Sequence, residues 1–142
     1  MKLKVAIASD HAGYNLKQFI KDSFDLDWVD LSAKNDKDSV DYPDFGYAVA
    51  ECVANDEAEF GIAVCGTGIG ISIAANRSPK VRAAVCHNAE TARLGRAHNN
   101  ANVMALGGRV VDEVTAIACL HKFLETDFEA GGRHERRVGM LS

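Results

Sequence analysis

The segment Cys65-Gly66-Thr67-Gly68-Ile69-Gly70-Ile71-Ser72 concentrates a thiol, two hydroxyls and three alternate glycines. It follows an apolar run and leads into a helix-like one. Glycines lack a Cβ, so the backbone can approach a ligand closely and turn several N–H groups toward it. That makes an anion cradle; the alternative is a tight strand-to-helix turn without a ligand. A dinucleotide fingerprint starting at Gly66 would need glycine at position 71, which is Ile71, and no G-K-[ST] follows for a phosphate loop. Cys65 falls at the strand end, beside the helix N-terminus, where the dipole favours a thiolate and exposes it to a ligand. A thiolate next to a row of N–H groups is a base or nucleophile beside an oxyanion site. The alternative for any single cysteine is a small buried apolar residue. Cys52 and Cys119 fit that alternative, on the inner faces of predicted helices, and Cys86 ends a strand.

Asp10-His11 ends the first apolar run, so the pair belongs near the same sheet edge as Cys65. A carboxylate beside an imidazole can move protons or hold a sugar hydroxyl. Asp10 could equally cap the helix that follows Gly13. His98-Asn99-Asn100-Ala101-Asn102 precedes a strand and falls at the opposite edge of the sheet. It is either a capping loop rich in Asn or a catalytic segment that serves a neighbouring subunit. Arg133 and Arg137 are four apart and share a face on a helix. With His134 and Arg136 they make a cationic cluster that suits a phosphate, or a solvated tail paired to Glu129 or Glu135. No H-x-x-x-H or C-x-x-C spacing supports a metal site.

The elements that must position these groups alternate along the chain. Residues 3–8, 28–31, 60–65, 82–86 and 103–106 read as strands. Residues 13–24, a segment begun by Pro43, 69–76, 89–97 and a segment opened by Asp112 read as helices. The last should turn Val114, Ile117, Leu120 and Leu124 inward. Residues 32–41 read as a loop, and the tail from Gly131 is basic. Five apolar strands alternating with helices imply one domain with a parallel sheet covered on both faces. Ligands of such sheets lie beyond the C-terminal strand ends, here Ser9-Asp10-His11, Cys65 to Gly68, Cys86-His87 and Gly107-Gly108-Arg109.

A length of 142 residues fits one domain, and 47% apolar with 25% charged content excludes a disordered or fibrous chain. A net charge of -4 argues against a nucleic-acid binder. The charge is unevenly spread. Residues 1–76 carry 6 Lys and no Arg against 13 acids, or -7; residues 77–142 carry 8 Arg and 2 Lys against 7 acids, or +3. Every arginine, the side chain best suited to bidentate anion capture, is in the second half. No apolar stretch approaches the about 20 residues that span a bilayer, and the first apolar run is too short for a signal peptide. The expectation is a cytoplasmic protein with reduced thiols.

Together these segments resemble the type B ribose-5-phosphate isomerase family, which includes galactose-6-phosphate isomerase subunits and allose-6-phosphate isomerases. The likeness runs over nearly the whole chain. It is carried by Ser9-Asp10-His11-Ala12-Gly13, Asp41-Tyr42-Pro43, the Cys65 to Ser72 run, His98 to Val103, Gly107-Gly108-Arg109, Gly131-Gly132-Arg133-His134 and Arg137. The resemblance implies a Rossmann-like three-layer α/β/α sandwich with a five-stranded parallel sheet. It implies a single sugar-phosphate isomerase domain over 1–142, with the basic segment from about 131 completing a phosphate site. It further implies no metal or organic cofactor, and a homodimer or homotetramer with active sites shared between subunits.

By position, Cys65 would be the base that moves a proton between C1 and C2. The N–H groups from Gly66 through Gly68 and Ile69 to Gly70, with the partner's Asn99, would bind the cis-enediolate. The partner's His98 would open the furanose ring, with Asp10 on the sugar and Tyr42 lining the site. His11, Arg133 and Arg137, with the partner's Arg109, would hold the phosphate, and Thr67 would supply a helper hydroxyl. Asn100 departs from the family's usual His-Asn-Asp run at a position with no catalytic role. The implied reaction is interconversion of ribose 5-phosphate and ribulose 5-phosphate in the pentose phosphate pathway. A six-carbon substrate (allose or galactose 6-phosphate) is the near alternative. A non-catalytic sugar-phosphate or nucleotide module is the far one, with a redox-sensing Cys65 as a third. Because Cys65, His98, Arg133 and Arg137 coexist in one chain, a self-sufficient homomeric enzyme is favoured over paired subunits.

Overall fold

The computed structural model describes residues 1–32 and 35–141; Ala33 and Lys34, within the expected 32–41 loop, and Ser142, the last residue of the basic segment, lie outside them. The chain runs β1 (Lys4–Ser9), α1 (Tyr14–Ser23), β2 (Asp27–Asp30), α2 (Tyr42–Ala54), β3 (Phe60–Cys65), α3 (Ile69–Ala75), β4 (Ala83–Val85), α4 (Ala89–Asn99), β5 (Val103–Gly107), α5 (Glu113–Glu125) and α6 (Arg133–Gly139). All strand pairs are parallel, in the order β2-β1-β3-β5-β4. The expected Rossmann-like three-layer arrangement is the one observed.

The two faces of the sheet differ in side-chain size. Val5 and Ile7 of β1, Ile62 and Val64 of β3, and Met104 and Leu106 of β5 pack against α1, α4 and α5. Ala6, Ala8, Ala63, Cys65 and Ala105 face α2 and α3. The small side chains let α2 lie close. A Cβ on Gly61 would come within 2.5 Å of Val49. The strand ends carrying the chemistry therefore open beside α2 and α3, with Cys65 on the alanine side of the sheet. Right-handed crossovers account for which helices share each face.

The chain moves outward from β1 to β2, then returns to place β3 on the other side of β1. That reversal opens a crevice at the C-terminal ends of β1 and β3. Asp10-His11 and Cys65 flank it.

Two expectations are corrected. β4 is three residues rather than five. On α5 the buried face is Ala116, Cys119, Leu120 and Phe123, while Val114 is 80% exposed. Weighting large residues turned the predicted stripe too far, because small Ala116 and Cys119 are what let the helix approach the sheet. The basic C-terminal segment forms the short helix α6, the conformation in which Arg133 and Arg137 share a face, and it packs against α4.

Lys17 is almost fully buried on α1 and donates to Asp30 at 2.9 Å, as Lys21 does at 2.8 Å. Burial alone would raise the Asp30 pKa, but hydrogen bonds from Lys21, Ser32 and Lys17 outweigh it and hold the carboxyl at about 2. A folded value below the unfolded one contributes stability above about pH 4, which is lost as pH falls through about 2. Asp30→Asn should flatten that acid limb in urea titrations across this window. It should also cost about 3 kcal/mol at neutral pH, because the buried Lys17 loses its carboxylate partner. An unchanged acid limb would remove Asp30 from this role.

Candidate active site

Cys65 ends β3, and its Sγ accepts the N–H of Gly68 at 3.1 Å. Gly68 sits at φ 81°, which glycine adopts without strain and which turns that N–H back toward the sulfur. Cys65 is only 4% exposed, so the thiol forms a floor rather than the exposed group expected from sequence. The other three cysteines are also buried, and their thiols are pushed up. Cys86 reaches about 12 and Cys119 about 11, both chiefly through burial, and Cys52 rises for the same reason. Among the described residues, Cys65 is the cysteine that accepts a backbone N–H.

A cavity of about 410 Å³ opens over this thiol. Its walls are Asp10, His11, Ala12, Tyr42, Gly66, Thr67, Ile69, Gly70 and Arg109. Asp10 is buried, and one of its carboxylate oxygens accepts the Gly13 N–H at 3.0 Å. Its capping and site-lining readings therefore coexist. The Val40 N–H donates to His11 Nδ1 at 3.2 Å. With Nδ1 accepting, Nε2 is the ring nitrogen left to donate to an anion. Tyr42 begins α2 and lies against Gly70, where a Cβ would come within 2.6 Å of its ring. Thr67 Oγ1 accepts the Ile69 N–H at 3.2 Å. Arg109 follows β5, its backbone N–H bound to Gly66 O at 3.0 Å, and its guanidinium lies over Gly66. A backbone cradle, a thiol, two titratable groups and a guanidinium thus converge on one opening.

The remaining expected residues lie elsewhere in the chain. His98 and Asn99 are the last residues of α4 rather than part of a loop. α4 ends ahead of Val103, which pairs with Gly61, whereas Cys65 pairs with Gly107. Four strand steps separate those levels, about 13 Å. His98 instead stacks on His134 with ring centroids 4.0 Å apart, and Arg133 lies on the same short helix. Desolvation, His98 and the two flanking arginines hold the His134 pKa below the usual histidine value. Arg133 and Arg137 are exposed and make no ion pair among the described residues. The solvated-tail pairing does not form, since Glu135 caps the Gly131 N–H and Glu129 faces His98.

The grouping differs from the one implied by the resemblance. Arg109 lines the same chain's Cys65 cavity, whereas Arg133 and Arg137 lie with His98 at the other end of the sheet. Asn100 adopts φ 47° as the cap of α4 and accepts from buried Arg96 at 3.1 Å. Asn and Asp both tolerate that conformation better than most residues, so the fold at this position does not explain the departure. Among the described residues, no helix is long and apolar enough to cross a membrane.

Known proteins share this framework. Ribose-5-phosphate isomerase B of Escherichia coli is 41% identical over 141 residues, spanning 98% of this chain and 94% of that protein. The Clostridium thermocellum ribose-5-phosphate isomerase B structure is 48% identical, with a TM-score of 0.94 over 98% of this chain and 95% of that one. The Mycoplasma genitalium ribose-5-phosphate isomerase B, crystallised with bound ribulose 5-phosphate, is 40% identical, with a TM-score of 0.91 over 99% and 95%. The sequence profile described as Ribose/Galactose Isomerase matches residues 5–141. With that match over almost its whole length, and with the site set at the β1/β3 crevice, the chain belongs to the Ribose/Galactose Isomerase family.

Proposed function

We propose that this protein interconverts ribose 5-phosphate and ribulose 5-phosphate through a cis-enediolate, with Cys65 as the proton-transfer base. The observation that carries the reading is the Cys65 thiol held by the Gly68 N–H at the floor of a cavity that also contains Arg109 and His11. The thiolate takes the proton from C2 of the open-chain aldose, and negative charge develops on O1. The amides of the Gly66 to Gly70 turn that are not already bound to Cys65 Sγ or Thr67 Oγ1 stabilise that charge. The thiol returns the proton to C1 while O1 gains a proton and O2 gives one up, leaving the ketose. Thr67 and Asp10 lie at the cavity wall to relay the hydroxyl protons. His11 and Arg109 offer donors to the phosphate.

The furanose must open first, and the groups suited to that step, His98 with Asn99, are about 13 Å or more away in the same chain. A second copy supplies them. Ile69 and Ile73 on α3 are each 54% exposed beside the cavity mouth, and Tyr42 and Tyr47 on α2 are 42% and 50% exposed. This apolar face suits a partner subunit. The active unit is then a homodimer, or a tetramer of such dimers, with Arg133 and Arg137 reaching the phosphate from the partner alongside His98.

A coupled assay on ribose 5-phosphate, allose 6-phosphate and galactose 6-phosphate tests the substrate. The expected kcat/KM is greatest for the five-carbon sugar by about tenfold or more. A larger kcat/KM for either hexose phosphate would replace this substrate with the six-carbon one.

A further inference from the structure

His98, Glu129 and His134 come together from three separate elements, and their ligand atoms all lie within 4.8 Å of one another. His98 Nε2 is 3.8 Å from Glu129 Oε2. The stacked rings of His98 and His134 are tilted by only 7°. The arrangement is anchored by backbone, because the Glu129 N–H donates to Ala97 O at 2.9 Å, one residue before His98. Two imidazoles and a carboxylate are the donor set of many three-residue zinc sites, with water completing the tetrahedron. Ligand distances of about 2.0–2.2 Å place tetrahedral donors about 3.3–3.6 Å apart. Coordination needs about 1 Å of closure and rotation of both rings out of their parallel stack, so that an in-plane nitrogen of each meets the ion at this partly exposed surface. No pair spacing in the sequence revealed the cluster, because only the tertiary fold unites it.

We propose that these three residues form an inhibitory site for a zinc-type divalent cation, which removes His98 from catalysis when occupied. The proposal rests on the isomerase reading for its effect on activity, but not for binding. A coordinated His98 nitrogen has no free lone pair, so it can neither accept nor return the ring-opening proton. Isomerisation of the cyclic sugar stops while the Cys65 cradle stays intact. Because Glu129 and His134 lie outside the proton-transfer steps, the site can be removed separately from the reaction.

The test titrates the metal-free protein with zinc ion alone, in buffer free of phosphate and chelator, following binding calorimetrically and turnover in the coupled assay. One zinc per chain should bind, turnover should fall by at least about tenfold, and EDTA should restore it. Glu129→Gln should keep the metal-free turnover while raising the half-inhibitory zinc concentration by about tenfold or more. His134→Asn should weaken calorimetric binding to a similar degree. Cobalt as a spectroscopic substitute should show d–d bands without the near-ultraviolet sulfur charge-transfer band that a Cys65 adduct would give. Unchanged zinc sensitivity in both variants, or that sulfur band, would overturn the site. Binding lost in the variants but without inhibition in the parent would overturn the regulatory role. A metal-free protein inactive on all three sugar phosphates would refute the isomerase reading, and the binding titration would still decide the site.

Discussion

Cys65→Ala is expected to lower kcat by about 10³-fold or more while leaving sugar-phosphate binding nearly intact. The size follows from what the thiol does in the proposed cycle. It is the group that removes the C2 proton and returns it at C1, and no other thiol accepts a backbone N–H among the described residues. The amide cradle remains in the variant, because Gly68 owes its conformation to backbone geometry rather than to the sulfur. Arg109 and His11 are also untouched, so the phosphate keeps its donors. The split is therefore in kcat rather than in affinity. Titration with a sugar-alcohol phosphate, which has no carbonyl and cannot isomerise, reads the affinity separately. Near wild-type turnover in Cys65→Ala would refute the proton-transfer assignment. A loss of affinity comparable to the loss of turnover would show that the thiol mainly shapes the cavity. Losing a buried sulfur costs only about 1–2 kcal/mol of folding stability, so thermal unfolding separates either outcome from misfolding.

The residues that made the fold readable were those with one dominant determinant. β1, β3 and β5 are short, largely apolar runs bounded by polar or glycine-rich segments, the pattern of strands buried on both faces. The Cys65 segment was readable because alternate glycines have few uses besides close backbone approach. What escaped was set by tertiary contact. Lys17 looks like a surface lysine on an amphipathic helix, yet it is buried against Asp30, a strand away in sequence. Val114 looks like a core residue, but the cap at Asp112 fixes a phase that turns it outward. His98 and Asn99 fall at the sheet edge that their place ahead of β5 implies, but α4 runs on to Asn99, two residues past the expected helix end at Ala97. The family's assignment of arginines to subunits could not be checked against spacing at all. Only the fold brings Arg109 over Gly66 and sets Arg133 beside the His98 end.

That grouping has a consequence as large as the loss of Cys65. His98→Asn should lower turnover on the cyclic sugar by about 10²-fold or more, and so should Cys65→Ala, but for defects at opposite ends of the sheet. Unfolding an equal mixture of the two variants and refolding them together should restore activity. About half of the dimers are then mixed, and each carries one site with Cys65 from one chain and His98 from the other, so about a quarter of wild-type turnover should return. The control is a pair whose defects share one cavity. Cys65→Ala mixed with His11→Ala should restore nothing, because both lie in the same chain's pocket and each mixed dimer has two damaged sites. Cys65→Ala mixed with Arg137→Ala decides where the C-terminal helix belongs. Restoration places Arg137 with the partner's His98, as the stacking of His98 on His134 indicates. Failure to restore would return Arg137 to the cavity of its own chain. Failure of the Cys65→Ala and His98→Asn mixture itself would overturn the shared site, because then one chain would have to hold both groups. The sheet separates them by about 13 Å or more, so a single-chain site would require α4 to leave the position it holds here.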